Sequence, residues 1–106
     1  MKIVSVCNCP NGMAHTYMAA EIIEKSAKEL GAEIKVETQG AIGTENKLTA
    51  NEVAEADCVL LATGIKLDMS RFVGKRVLNW PVANIIQEAK QAVQAAIDGQ
   101  GEIYNG

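Results

Sequence analysis

The sequence predicts a single three-layer α/β/α domain on a four-stranded parallel sheet. Three observations carry this. Segments with strand character alternate with segments of helical period along 106 residues, and such alternation implies parallel strands with crossover helices on both faces. The stretch 57–63, DCVLLAT, is almost unbroken apolar sequence, as expected of a strand covered on both faces. The length suits one domain able to bury roughly two-thirds of its unfolded surface.

Taken in order, KIVSVCN (2–8) is rich in β-branched residues and reads as the first strand. From about Met13 to Leu30 the period becomes helical, with Met18, Ile22, Ile23, Ala27 and Leu30 expected on one inward face. Gly31 supplies the stop. AEIKVET (32–38) alternates Ile34 and Val36 against charged neighbours, a second strand. QGAIGTENK (39–47) carries two glycines and reads as a loop. Thr49 followed by Glu52 fits a capping box opening a short helix, TANEVAEA. The buried strand 57–63 follows. Residues 64–75 read as a loop with room for one helical turn, and KRVLNWPV as a short strand ending at Pro81. A last helix spans VANIIQEAKQAVQAAIDG, with Ile85, Ile86, Ala89, Val93, Ala96 and Ile97 inward and Gly99 at its end. The domain is expected over 1–98, and 99–106, ending GQGEIYNG, reads as a weakly structured tail or linker stub.

The formal net charge is −3, and no run of lysine or arginine exceeds two, so nucleic acid is not an expected partner. No apolar run approaches the length of a membrane span, and the start is too short in apolar residues for a signal peptide. The protein is expected in the cytoplasm. Three cysteines, an odd number, argue against a disulfide framework there and leave reactive thiol, metal ligand or buried filler.

In Rossmann-like sheets of this kind ligands bind beyond the carboxyl ends of the strands, near the switch point. The stretch CNCPNGMAHT (7–16) sits at that place, after the first strand and into the first helix. A cysteine there meets the unpaired amides of the first helical turn and their partial positive charge. At up to about 2 kcal/mol this lowers a thiol by roughly one and a half pKa units, from near 8.5 to close to 7. The same amides can cradle a phosphate. Cys9, at the turn, is the candidate nucleophile. Pro10, Asn11, Gly12, Met13, Ala14, His15 and Thr16 are the candidate phosphate-binding residues. Gly12 lets the main chain approach closely, and Pro10 fixes the turn. His15 can bond a phosphate or simply pack or face solvent, and Thr16 can donate to the anion or bond a neighbouring carbonyl. Cys7 and Cys58 read as buried filler.

The spacing Cys9, five residues, position 15 and then Thr16 matches the Cys-x5-Arg-Ser/Thr loop of low-molecular-weight tyrosine phosphatases and arsenate reductases, a loop that follows the first strand of their fold too. Position 15 is histidine, so the arginine fork is missing, and no Asp-Pro pair offers a general acid. A sulfur able to hold a phosphoryl group without the groups that speed its hydrolysis suits a carrier. A thiol hydrolase or reductase, and a regulatory docking module on the same fold, are the alternatives. Cys7, Cys9 and His15 lack the spacing of a metal knuckle, and the loop lacks a nucleotide fingerprint or Walker lysine. Neither metal nor cofactor is expected.

The runs CPNGMAHTYMAAE (9–21), IKVETQGAIGTENKLT (34–49) and RFVGK (71–75) resemble the fructose-type enzyme IIB component of the bacterial sugar phosphotransferase system, from the first strand to about residue 98. The resemblance implies a phosphocysteine carrier. It takes a phosphoryl group from a phosphohistidine on enzyme IIA and passes it to a sugar, fructose by default, held in the membrane-embedded enzyme IIC. It implies Cys9 as the phosphorylated residue and a cytoplasmic domain peripheral to the inner membrane through enzyme IIC. Cys7 has no counterpart. Gly40 and Gly43 are candidates for a docking rim or for ordinary turn chemistry, and Met13, Met69 and Phe72 for an apolar docking collar or ordinary packing.

Overall fold

The first strand, β1 (Lys2–Asn8), runs through the middle of the sheet in the computed structural model, which describes residues 2–8, 13–40, 43–63 and 70–104. It is followed by α1 (Met13–Glu29), β2 (Glu33–Gly40), β3 (Gly43–Glu45), α2 (Ala50–Glu55) and β4 (Cys58–Thr63). A 3-10 turn (Ser70–Phe72), β5 (Arg76–Trp80), α3 (Val82–Ile97) and β6 (Glu102–Ile103) complete the chain. The sheet order is β3-β2-β1-β4-β5-β6. The four inner strands are parallel, as expected from the alternation. The count of four is corrected: a short antiparallel strand is added at each edge, making six.

Both additions fall where the sequence reads as irregular. The expected loop 39–47 is a hairpin in which Thr38, Gln39 and Gly40 pair with Glu45, Thr44 and Gly43. The tail returns antiparallel to β5, with Arg76 opposite Ile103 and Val77 opposite Glu102. Main-chain bonds Gly74 N to Tyr104 O (2.7 Å) and Tyr104 N to Lys75 O (2.9 Å) extend the attachment. Gly101 makes the return possible. Its φ is +109°, and a Cβ there would lie 2.7 Å from the Val77 carbonyl oxygen, so any side chain would push the strand off.

Strand alternation divides the interior in two. Ile3 and Cys7 of β1, Val36 of β2, and Cys58, Leu60 and Ala62 of β4 face α1 and α3. There they meet Ala19, Ala20, Ile23 and Ala27 from α1 and Ile85, Ala89, Ala92, Val93 and Ala96 from α3. On the opposite face Val4, Val6, Val59, Leu61 and Val77 pack beneath Leu48, Val53 and Ala56 around α2, with Phe72. The three layers are thus present. In α1 the expected inward face is corrected at Met18, which is 51% exposed; Ala19 and Ala20 take the wall instead, because small residues let the helix lie close to the sheet. Gly31, at φ +78°, ends α1 as its position predicts.

The capping box is formed. Thr49 Oγ1 accepts the Glu52 main-chain N–H (3.1 Å), and Glu52 Oε1 accepts that of Thr49 (2.9 Å). Lys35 Nζ donates to the same Glu52 oxygen at 2.7 Å, and this bond leads the effects that hold the Glu52 carboxyl below its ordinary value. At the far end of α2, Lys75 Nζ donates to the carbonyls of Ala54 (2.7 Å) and Ala56 (3.1 Å), a cation placed against the negative end of the helix.

Candidate functional site

The carboxyl end of β1 lies between those of β2 and β4. Asn8 is in register with Gln39 on one side and Thr63 on the other. The chain leaves β1 there, and four residues later α1 begins. Strand order reverses about β1, since β2 and β3 lie to one side and β4, β5 and β6 to the other, so this is the switch point at which open sheets leave a crevice. Cys9, Pro10, Asn11 and Gly12 lie outside the described residues, as do the side chains of Met13, Ala14, His15 and Thr16. The main chain of the last four forms the first turn of α1. The first four amides of an α-helix have no partner within it and carry the positive end of its dipole. No acidic residue occurs in this turn to compete for it.

The other two cysteines are not nucleophiles. Cys7 is fully buried on the α1 and α3 face. Burial pushes its thiol up from 9.0 to about 12, so it remains protonated at any physiological pH. Cys58 is buried on the same face, its thiol is also pushed up by burial, and its Sγ donates weakly to the Val59 carbonyl at 3.8 Å. Both fill space, as expected. Among the described residues no group of three His, Cys, Asp or Glu side chains is placed to hold a metal ion.

Of the residues expected in a docking collar or in ordinary packing, Phe72 takes the second place. It is completely buried in the core beneath α2, because the 3-10 turn carries its ring inward over Val77 and Leu61. Met69 lies outside the described residues. Gly40 and Gly43 are cross-strand partners in the β2–β3 hairpin. Met18, read from the sequence as core, instead presents an exposed apolar side chain three residues beyond His15. Nothing in its apolar character distinguishes it from a buried neighbour.

A polar chain at the same sheet edge also went unread. Glu37 Oε1 accepts the Leu48 main-chain N–H (2.9 Å), and Oε2 accepts Gln39 Nε2 (2.7 Å). Gln39 Oε1 in turn accepts Asn8 Nδ2 (2.8 Å). Glu37 is only 1% exposed. The alternation in β2 suggests that its charged positions face solvent. Glu37 is buried there instead, with the Leu48 N–H and the Gln39 amide among its partners.

Comparison with known proteins places these features in a family. Residues 4–95 match the family described as the phosphotransferase system, lactose/cellobiose-specific IIB subunit. The chain is 48% identical over 99 residues to the fructose-like EIIB component 2 of Escherichia coli K12, covering 92% of each. It is 45% identical over 105 residues to the fructose-specific EIIABC component of Bacillus subtilis, covering 99% of this chain and 16% of that longer protein. A solved structure of a domain of fruA from Bacillus subtilis superposes with a TM-score of 0.90 at 43% identity, covering 98% of this chain and all of that one.

Proposed function

The chain belongs to the IIB family of the sugar phosphotransferase system, fructose-like in its relatives, and on that ground we propose that it is a phosphoryl carrier working through Cys9. The observation that carries the reading is the position of Cys9 in the sequence. It directly follows the central strand at the switch point and opens the four-residue connection that leads to the first amides of α1.

In the proposed first step the Cys9 thiolate attacks the phosphorus of a phosphohistidine on enzyme IIA. The S–P bond forms as the N–P bond breaks, and the histidine ring, protonated on its other nitrogen, leaves neutral. The main-chain donors that open α1, with Pro10, Asn11, Gly12, Met13, Ala14, His15 and Thr16 around the turn, hold the phosphoryl oxygens. This is stabilisation by fixed dipoles aimed at developing charge. In the second step a sugar hydroxyl held by enzyme IIC attacks. An O–P bond forms, the sulfur leaves as thiolate, and the hydroxyl proton passes to a base on the acceptor side. Fructose is the sugar favoured by the relatives' names. Histidine at position 15 and the lack of an Asp-Pro pair leave the thioester of phosphate without the arginine fork and general acid that would hydrolyse it. Among the described residues no helix is long and apolar enough to cross a membrane, in keeping with a domain that meets enzyme IIC at the cytoplasmic face of the inner membrane.

The test is transfer of labelled phosphate from phosphoenolpyruvate through the general phosphotransferase proteins and enzyme IIA. The wild-type chain should take one label, stable to acid treatment that destroys phosphohistidine, at Cys9, and Cys9→Ala should take none. Label retained by Cys9→Ala, or turnover of p-nitrophenyl phosphate or arsenate in place of transfer, would overturn the reading.

A further inference from the structure

We propose that Glu37 is a positioning residue for the phosphoryl-transfer step, acting through Gln39 on Asn8, the residue that precedes Cys9; this role rests on the reading of Cys9 given above. The stretch VETQG (36–40) is part of the resemblance, yet nothing in the transfer chemistry uses it directly.

A carboxylate is costly to bury, and Glu37 is buried with an oxygen on the main chain of Leu48, a member of the apolar core. What the carboxylate supplies is direction. An ionised carboxylate only accepts hydrogen bonds. Its two oxygens take the Leu48 N–H and the Gln39 amide NH2. Gln39 must therefore turn its NH2 toward Glu37 and its Oε1 toward Asn8. Asn8 must then turn its NH2 toward Gln39, which keeps its Oδ1 off β2. One buried charge thus sets the sign of two carboxamide dipoles, and the second sits one residue before the sulfur. A dipole held in advance needs no reorientation when a phosphoryl group brings charge to its side.

The chain of donors can be reversed without changing its shape. In Glu37→Gln the new amide oxygen can accept the Leu48 N–H, but its NH2 then faces Gln39. Gln39 must flip, and Asn8 with it, so the Asn8 dipole is inverted. In the double variant Glu37→Gln/Gln39→Glu the charge moves one step along. The new carboxylate at position 39 accepts from both the new amide at position 37 and Asn8, and the native sense of Asn8 returns. Gln39→Met cuts the chain while nearly preserving volume at a half-buried position.

The rate of phosphoryl transfer from phosphorylated enzyme IIA to each chain, with the side-chain amide NMR signals of Asn8 and Gln39, tests the proposal. Glu37→Gln and Gln39→Met should each slow transfer by about tenfold or more, since small misplacements beside a reacting group cost on this scale. Glu37→Gln should also move both amide signals. The double variant should return the rate to within about threefold of wild type, the recovery expected of directly coupled groups. Should Glu37→Gln fail to fold, Gln39→Met and the double variant decide. A wild-type chain that takes no phosphoryl group on Cys9 removes the reading above and this role with it. A wild-type rate unchanged by the single variants, or a loss that the double variant does not recover, removes this role alone.

Discussion

Alkaline pH should weaken the fold through Cys7, a residue that takes no part in the chemistry. Its side chain is fully buried between β1 and the α1–α3 layer, and burial raises its pKa from 9.0 to about 12. Between these values the folded chain keeps a proton that the unfolded chain has lost. Stability is therefore complete below about pH 9 and falls by about 1.4 kcal/mol for each pH unit up to about 12. At about pH 10.5 the loss is about 2 kcal/mol, a large share of the 5–15 kcal/mol that holds a domain of this kind together. Urea unfolding of the wild type and of Cys7→Ala at about pH 8 and 10.5 isolates the effect. The alanine variant loses a buried sulfur and so starts less stable by an amount that does not depend on pH. Lysine, tyrosine and the other thiols titrate in both proteins and cancel. With a urea slope near 2 kcal/mol per molar, the wild-type midpoint should fall by about 1 M more than that of the variant. Midpoints that fall in parallel would mean that the thiol ionises in the folded chain almost as easily as in water, and the burial argument would fail.

Two further perturbations test the other face of the sheet. Phe72→Ala should cost about 3–5 kcal/mol in urea unfolding, the range for an aromatic removed from a closed core; a loss below about 1 kcal/mol would return the ring to the surface and revive its role as a docking contact. Thr49→Ala should cost about 1 kcal/mol by removing the acceptor for the Glu52 amide, while Thr49→Ser should keep nearly all of it. Equal losses in the two variants would show that the methyl group, not the hydroxyl, matters at that position.

Much of this architecture can be read locally. Alternation in residues 2–8 and the apolar run 57–63 mark the central strands β1 and β4 because each lies under helices on both faces. Thr49 and Glu52 announce the start of α2 because a capping box closes within four residues. Gly31 ends α1 because a left-handed residue is needed just there. Cys9 stands out as the candidate nucleophile from its place between a strand and a helix, and the family to which the chain belongs agrees with the resemblance carried by its motifs.

The misreadings share one cause. Met18 has the spacing of a core residue, but α1 meets the sheet through Ala19 and Ala20, and the difference is a rotation of the helix that period alone does not specify. Phe72, in a loop, fits a docking contact or ordinary packing equally well until the core beneath α2 decides for packing. The hairpin after β2 and the return of residues 102–104 to β5 depend on main-chain donors and acceptors of strands distant in sequence, which side-chain pattern does not report. Glu37 alternates like a solvent-facing charge, and only the meeting of β1, β2 and the chain before α2 turns it into a buried acceptor. The sequence by itself thus determined the order and type of the main elements, and it marks Cys9 as the candidate nucleophile. The tertiary structure alone decided which polar groups are buried and which apolar ones are not, because burial belongs to the pair of surfaces that meet and a periodic pattern describes only one of them.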